Sequence, residues 1–111
     1  MSKTLPEINV SVTFRHTEST PALKSYATEK VTHCLRKYIN NSADVQIVLS
    51  VQKRDHVVEV VLRTKGFDIT AKEITEDLYS AIDKVVDNLD KQMRKRKERM
   101  QDHKHQVAPQ A

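Results

Sequence analysis

The sequence predicts an α+β fold with the element order β-α-β-β-β-α, a two-layer sandwich of one four-stranded sheet with two helices on one face. Four segments alternate apolar and polar residues, which is typical of strands with one buried face. Two longer segments repeat apolar residues at steps of three and four, which is typical of core-facing helices. A chain of 111 residues suffices for one modest core, so we assign all six elements to one domain.

The first strand and the first helix are predicted within residues 8–39. The strand has apolar side chains at alternate positions, namely Ile8, Val10, Val12 and Phe14. Thr20 followed by Pro21 predicts a helix start, because threonine caps free amides and proline has no N–H that would lack a partner. The helix is predicted to continue to about Ile39, with an apolar stripe of Leu23, Ala27, Val31, Cys34, Leu35 and Tyr38.

Three further strands are predicted, joined by short connections. The second alternates at Ala43, Val45, Ile47, Leu49 and Val51, the third at Val58, Val60 and Leu62, and the short fourth at Phe67, Ile69 and Ala71. The polar residues 53–55 are predicted to turn the chain between the second strand and the third. Lys65 and Gly66 predict a hairpin, because glycine adopts the positive φ that tight turns need.

The last helix is predicted to begin at Thr75, with Glu76 and Asp77 as first-turn acids favoured by the helix dipole. Its apolar stripe falls within an arc of about 100° and comprises Leu78, Ile82, Val85, Val86, Leu89 and Met93. Arg96 lies in the middle of that arc. Since a cation is costly to bury, we expect the helix to have passed the edge of the sheet there. We predict a domain over residues 1–100 and a flexible tail over residues 101–111.

The formal charge of +4 comes from the end of this helix. Residues 84–104 hold eight Lys and Arg against four Asp and Glu, whereas the rest of the chain holds eleven of each. This excess favours a polyanionic partner, with nucleic acid first and an acidic membrane surface second. The alternative interpretation is a solubilising surface whose cations complement the helix dipole.

Several classes of protein are excluded or disfavoured. One glycine is too few for a dinucleotide-binding or Walker-type loop. His33 and Cys34 point about 100° apart on a helix, so they form no nucleophile and base pair. His103 and His105 lack further placed ligands, so they do not predict a metal site. We therefore expect no enzymatic activity, no cofactor and no metal, and the few, mostly core-facing aromatic residues favour structured RNA or DNA over single strands.

The compartment is predicted to be the cytoplasm. The longest runs of strong hydrophobes are three residues, which is far too short to span a bilayer. No apolar segment that could act as a secretory signal follows Met1. The single cysteine, Cys34, fits a reducing compartment and is expected to be a small core residue.

The segment EDLYSAIDKVVDNLDKQMRKRK, residues 76–97, resembles the last-helix motif of the ribosome hibernation promoting factor family. Members are also called ribosome-associated inhibitors or sigma-54 modulation proteins. VSVTFRH, residues 10–16, and TPALKSYATEK, residues 20–30, are similar to the first strand and first helix of that family. The resemblance covers about residues 7–100. It implies a fold similar to double-stranded RNA-binding domains.

The resemblance also implies a function and a set of contacts. Family members bind the small ribosomal subunit where messenger and transfer RNA would lie, and they silence translation under stress. Basic residues of both helices contact the 16S rRNA. By position these are Lys84, Lys91, Arg94, Lys95, Lys97 and Arg99 in the last helix, with Lys24, Lys30, Arg36 and Lys37 of the first as second-rank candidates.

Two alternatives stay open beside a ribosome hibernation factor: a general double-stranded RNA-binding module and a regulator that binds a sigma factor. The long form of the family has a further C-terminal domain that pairs ribosomes, and this chain resembles the short form. Some short members assist pairing with a separate small factor, and others carry a tail that opposes it. Residues 103–111 resemble neither kind of tail, so both a pairing factor and an opposing role stay open.

Overall fold

The computed structural model describes residues 6–107, and for residues 100–107 it describes only the helical backbone. In chain order the elements are β1 (Ile8–Arg15), α1 (Pro21–Arg36), β2 (Ala43–Gln52), β3 (Asp55–Thr64), β4 (Phe67–Thr75) and α2 (Leu78–Val107). The strands form one sheet in the order β1-β2-β3-β4, in which β1 and β2 are parallel and the other neighbours antiparallel. This confirms the predicted fold class and element order.

Both helices cover the same face of the sheet. The apolar residues of β2 and β3 that were predicted to face inward are buried, for example Ile47, Leu49, Val58 and Leu62. α2 packs on β3 and β4, while α1 packs on β1 and on α2. The predicted apolar stripe of α2 is buried from Leu78 to Met93, except that Val86 is only half-buried. The core therefore lies between one face of the sheet and the apolar side chains of the two helices.

α1 begins where predicted and ends earlier than predicted. The Thr20 hydroxyl accepts a hydrogen bond from the Leu23 amide at 3.2 Å, and Pro21 is the first helical residue. The helix ends at Arg36 rather than near Ile39. The reason is a tightened last turn, in which the Tyr38 amide donates to the Leu35 carbonyl at 2.9 Å.

The start of α2 corrects the prediction of a helix beginning at Thr75. Thr75 is the last residue of β4 and pairs with His56 of β3, so β4 is longer than predicted. Asp77 caps the helix instead, because its carboxylate accepts hydrogen bonds from the Ser80 amide and hydroxyl, each at 2.8 Å. The hydrogen bond from the Ser80 amide is the main reason that the pKa of Asp77 lies below its ordinary value.

The turns are close to the prediction. Lys53 adopts a positive φ of 58°, and Asp55 already pairs with Gln52, so the turn between β2 and β3 is shorter than residues 53–55. Gly66 has a φ of 98°, which confirms the predicted need for glycine at this hairpin. The backbone of α2 is helical to Val107, and thus beyond the predicted domain limit at residue 100. The flexibility of residues 101–111 stays a prediction.

Candidate nucleic-acid interface

All ten cations implicated in rRNA binding have exposed side chains. Six lie on α2 and four on α1 or at its end, and the two helices lie side by side on one face of the sheet. The exposure of Lys91, Arg94 and Lys95 was predicted and is confirmed. All ten cations are thus exposed on the helices or at the end of α1, where a polyanion can contact them.

Lys84, Lys91 and Lys95 form a row along α2, because steps of seven and four residues keep side chains within about 40° of one another. Within residues 6–99 none of the three forms an ion pair. The part of this row between Lys84 and Lys91 also carries negative charge, since these two residues line a shallow depression together with Glu73 and Asp87. The excess of positive charge is therefore greater in residues 91–99, toward the end of the helix.

The basic end of α2, residues 91–99, carries six Lys and Arg against Glu98. Within residues 6–99, Met93 is the last buried residue of the stripe, at 2% exposure. Lys97, Glu98 and Arg99 are exposed. Exposed side chains thus predominate after Met93, although Arg96 itself is half-buried. From there its cations lie where several phosphates could contact them without displacing any core residue.

Asp90 joins the end of α1 to the basic end of α2. Its carboxylate accepts from the Lys37 ammonium at 2.9 Å and from the Tyr38 hydroxyl at 2.8 Å, and it lies 3.8 Å from the Arg94 guanidinium. These partners, Lys37 first, hold the Asp90 pKa below its ordinary value. The same contact raises the Lys37 pKa. Two of the ten predicted cations are therefore partly neutralised in the protein alone.

The remaining α1 cations differ in their surroundings. Arg36 donates a hydrogen bond to the Pro6 carbonyl at 2.7 Å, which ties it to the segment before β1. Lys30 lies over the Tyr26 ring at 5.5 Å. Tyr26 in turn donates to Asp83 at 2.6 Å, so a carboxylate lies close to this end of the surface. Arg36 and Lys30 are thus less available for phosphate contacts than the cations of the basic end.

Aromatic side chains lie mostly against the core, as predicted. Phe14, Tyr26, Tyr38 and Phe67 are half-buried and pack on it. Tyr79 is the exception, with 44% of its surface exposed, and its ring meets that of Tyr26 edge-on with centroids 5.0 Å apart. One exposed ring does not form a platform for successive bases, which agrees with recognition by backbone and shape.

Sequence reasoning missed two features of this surface. The first is the Asp90 junction, of which only the spacing of Asp90 and Arg94 by four residues was visible. The second is the position of Arg96, whose guanidinium carbon lies 3.8 Å from the centre of the Phe67 ring. Arg96 had been expected beyond the sheet, but it covers the aromatic residue that begins β4. It is half-buried there and lines a cleft with Lys65.

The Cys34 thiol is buried in the core. Burial raises the pKa of Cys34 to about 11, and its exposure is 2%, as expected for a core cysteine. Within the described residues no three His, Cys, Asp or Glu side chains are grouped as metal ligands. His103 and His105 lie outside the part whose side chains are described. Across residues 6–107, neither helix has the length and apolarity needed to cross a membrane.

Comparison with known proteins identifies relatives along most of the chain. Residues 10–101 match the family described as sigma 54 modulation protein / S30EA ribosomal protein. The ribosome hibernation promoting factor of Pseudomonas putida is 33% identical over 94 residues, covering 85% of this chain and 91% of that protein.

Two solved structures share the fold. The N-terminal domain of Protein Y from Thermus thermophilus matches with a TM-score of 0.71 and 27% identity, over 80% of this chain and 97% of that chain. A ribosomal subunit interface protein from Coxiella burnetii matches with a TM-score of 0.72 over 81% of this chain and 98% of that chain. Its identity of 22% supports the fold alone.

Proposed function

Since the chain belongs to the sigma 54 modulation protein / S30EA ribosomal protein family, we propose that it is a ribosome hibernation factor. In this proposal it binds the small ribosomal subunit in the channel of messenger and transfer RNA and inhibits translation under stress or in stationary phase. It acts in the cytoplasm by occupying a site, so it needs no catalytic group, cofactor or small-molecule substrate.

The basic end of α2 is the observation that carries the proposal. Phosphate contacts from Lys and Arg supply most of the affinity of a protein that binds nucleic acid through its backbone. Lys91, Lys95, Lys97 and Arg99 are exposed, and within residues 6–99 none of them is paired with an acid. These four, with Lys84 and Arg94, are the proposed primary contacts to 16S rRNA. Lys24, Lys30, Arg36 and Lys37 are proposed to contribute less.

Co-sedimentation of the protein with small ribosomal subunits across a salt series tests this proposal. About six phosphate contacts would make log affinity fall with log salt concentration with a slope of roughly four to five. A plain RNA duplex serves as competitor. Binding that the duplex cannot displace supports the ribosome as target. Displacement by the duplex would instead indicate a general double-stranded RNA-binding module.

A charge-matched pair of variants locates the interface. Lys91→Gln, Arg94→Gln and Lys95→Gln together should lower the slope by about two to three, because three phosphate contacts are lost. The control combines Arg54→Gln, Arg63→Gln and Lys72→Gln, which removes the same charge from exposed positions away from both helices. Equal losses in both variants would contradict the proposed surface. Subunit binding with almost no salt dependence would contradict the proposed phosphate contacts, and no binding to the subunit or to the duplex would favour a protein partner, such as a sigma factor.

A further inference from the structure

A cleft of about 390 Å³ lies where the end of α1, the turn between β3 and β4, and α2 meet. Its cations are Lys37, Lys65, Arg96 and Lys97, and among the residues whose side chains the structure describes no carboxylate lines it. Lys37 is shared with Asp90, whereas within residues 6–99 the other three form no ion pair. The cleft therefore concentrates positive charge around a concave site large enough for a small ligand.

The interior of the cleft is apolar and aromatic. Ile39 and Met93, which are 6% and 2% exposed, belong to its lining, as do the half-buried rings of Tyr38 and Phe67. A ligand that carried charge alone would gain nothing from this interior. A ligand with a flat, weakly polar ring beside its charge would pack that ring against the parts of Tyr38 and Phe67 that Lys37 and Arg96, which lie over the two rings, leave exposed.

Arg96 is held ready to bind an anion. Its guanidinium stacks on the Phe67 ring at 3.8 Å, and stacking of this kind uses the flat face of the group. The N–H donors lie in the plane of the guanidinium, so they stay available for a phosphate. Asn40 and Asn41 line the same cleft and supply amide donors and acceptors, which could pair with the polar edge of a ring.

We propose that this cleft binds one nucleotide, with its phosphate on Arg96, Lys65 and Lys97 and its base against the aromatic side of the cleft. A nucleotide unstacked from rRNA and a free mononucleotide share this chemistry. If the nucleotide belongs to rRNA, the inference rests on the proposed function and adds a base contact to it. The cleft then holds a single base, while the basic end of α2 contacts the backbone of the same RNA.

The first test titrates the full-length protein with AMP, GMP, CMP and UMP at fixed ionic strength, followed by ¹H–¹⁵N NMR. We expect at least one of them to saturate at millimolar concentration and to shift the amides of Asn40, Asn41 and Gly66 most. Inorganic phosphate should bind about tenfold more weakly than that nucleotide, because it has no ring to bury. Equal binding of phosphate would overturn the assignment of a base site, as would the absence of localised shifts.

A pair of variants tests the location. Lys65→Gln with Lys97→Gln changes two exposed side chains and should weaken nucleotide binding by about tenfold or more. The control, Arg54→Gln with Lys72→Gln, removes the same charge elsewhere and should leave binding unchanged. A peptide rich in Asp and Glu serves as a second probe. If it shifts the same amides at equal or lower concentration, the site is one for acidic peptides and the nucleotide proposal is wrong.

The two sources are separated by adding small ribosomal subunits. If the cleft takes a nucleotide of the rRNA, a saturating mononucleotide should weaken subunit binding several-fold. If the cleft takes a free nucleotide, subunit binding should stay unchanged while the localised shifts persist. The NMR titration contains no ribosome, so its failure would leave the proposed function intact. If the wild-type protein did not bind small ribosomal subunits at all, the proposed function would be refuted, and the result of the nucleotide titration would still stand.

Discussion

Replacing Asp90 by Asn should weaken the protein fold without weakening RNA binding. Asp90 is 24% exposed, and it accepts the Tyr38 hydroxyl at 2.8 Å as well as contacting Lys37 and Arg94. A hydrogen bond to a charged group contributes roughly 1.5–3 kcal/mol, and partial exposure reduces this to about 1 kcal/mol. For a domain of this size that loss lowers Tm by about 4–8 °C.

The same substitution removes the acid that competes with RNA for Lys37 and Arg94. Subunit affinity should therefore hold or rise, and the salt slope should steepen by at most about 0.7–0.9 for each cation released. Thermal unfolding and co-sedimentation measure the two effects. A folded Asp90→Asn protein with weaker subunit binding would refute the reasoning, because the geometry held by Asp90 would then matter more than its charge.

A control and a pH series examine the junction itself. Tyr38→Phe removes the hydroxyl alone, and its destabilisation should not add fully to that of Asp90→Asn, since both changes break one contact. The folded pKa of Asp90 lies below the ordinary value of 3.8. Its stabilisation is thus present above about pH 4 and is lost as pH falls through the lowered pKa. In Asp90→Asn the free energy of unfolding should therefore fall less steeply as pH drops below about 4. An unchanged fall would assign the acid sensitivity to other carboxylates.

Three further predictions concern the core, the hairpin and the thiol. Ile82→Ala, at a fully buried site of α2, should cost about 2–5 kcal/mol in urea unfolding, and a smaller loss would mean that the helix repacks there. Gly66→Ala should cost about 1 kcal/mol through its φ of 98° alone, since a Cβ would meet no atom within 4 Å; an unchanged midpoint would show that the turn relaxes. Cys34, with its pKa raised to about 11, should resist a thiol reagent at pH 8 until the protein unfolds, and fast labelling of the native protein would contradict its burial.

The fold was accessible from the sequence because its signals are local. The alternation of β2 and the stripe of α2 each appear within one segment, and the positive φ of Gly66 follows from the only residue type that adopts it easily. The start of α2 was not accessible in the same way. Both Thr75 and Asp77 can cap a helix, and the pairing of Thr75 with His56 across the sheet decides between them.

In the candidate site, too, the features set by local sequence could be predicted and the contacts between distant segments could not. That the cations of α2 are exposed follows from the helical period, which assigns one arc to the core and the rest to solvent. The partners of those cations depend on contacts between distant segments. Lys37 and Asp90 are 53 residues apart in sequence, and Phe67 comes from a strand, so neither Lys37–Asp90 nor Arg96–Phe67 could be predicted from any local pattern.

The length of the sheet sets where α2 can become basic. Gln92 donates to the Thr70 carbonyl of β4 at 3.1 Å, and Met93 is the last side chain of residues 6–99 that is buried in the core. One turn later Arg96 occupies the same arc, and it is tolerated because Phe67, where β4 begins, offers a ring rather than a closed core. Beyond that point no strand lies beneath the helix in the described part of the chain, so cations are allowed on every side. A shorter hairpin between β3 and β4 would therefore move the start of the all-round basic surface toward Asp90, which makes the length of that hairpin a determinant of the proposed interface.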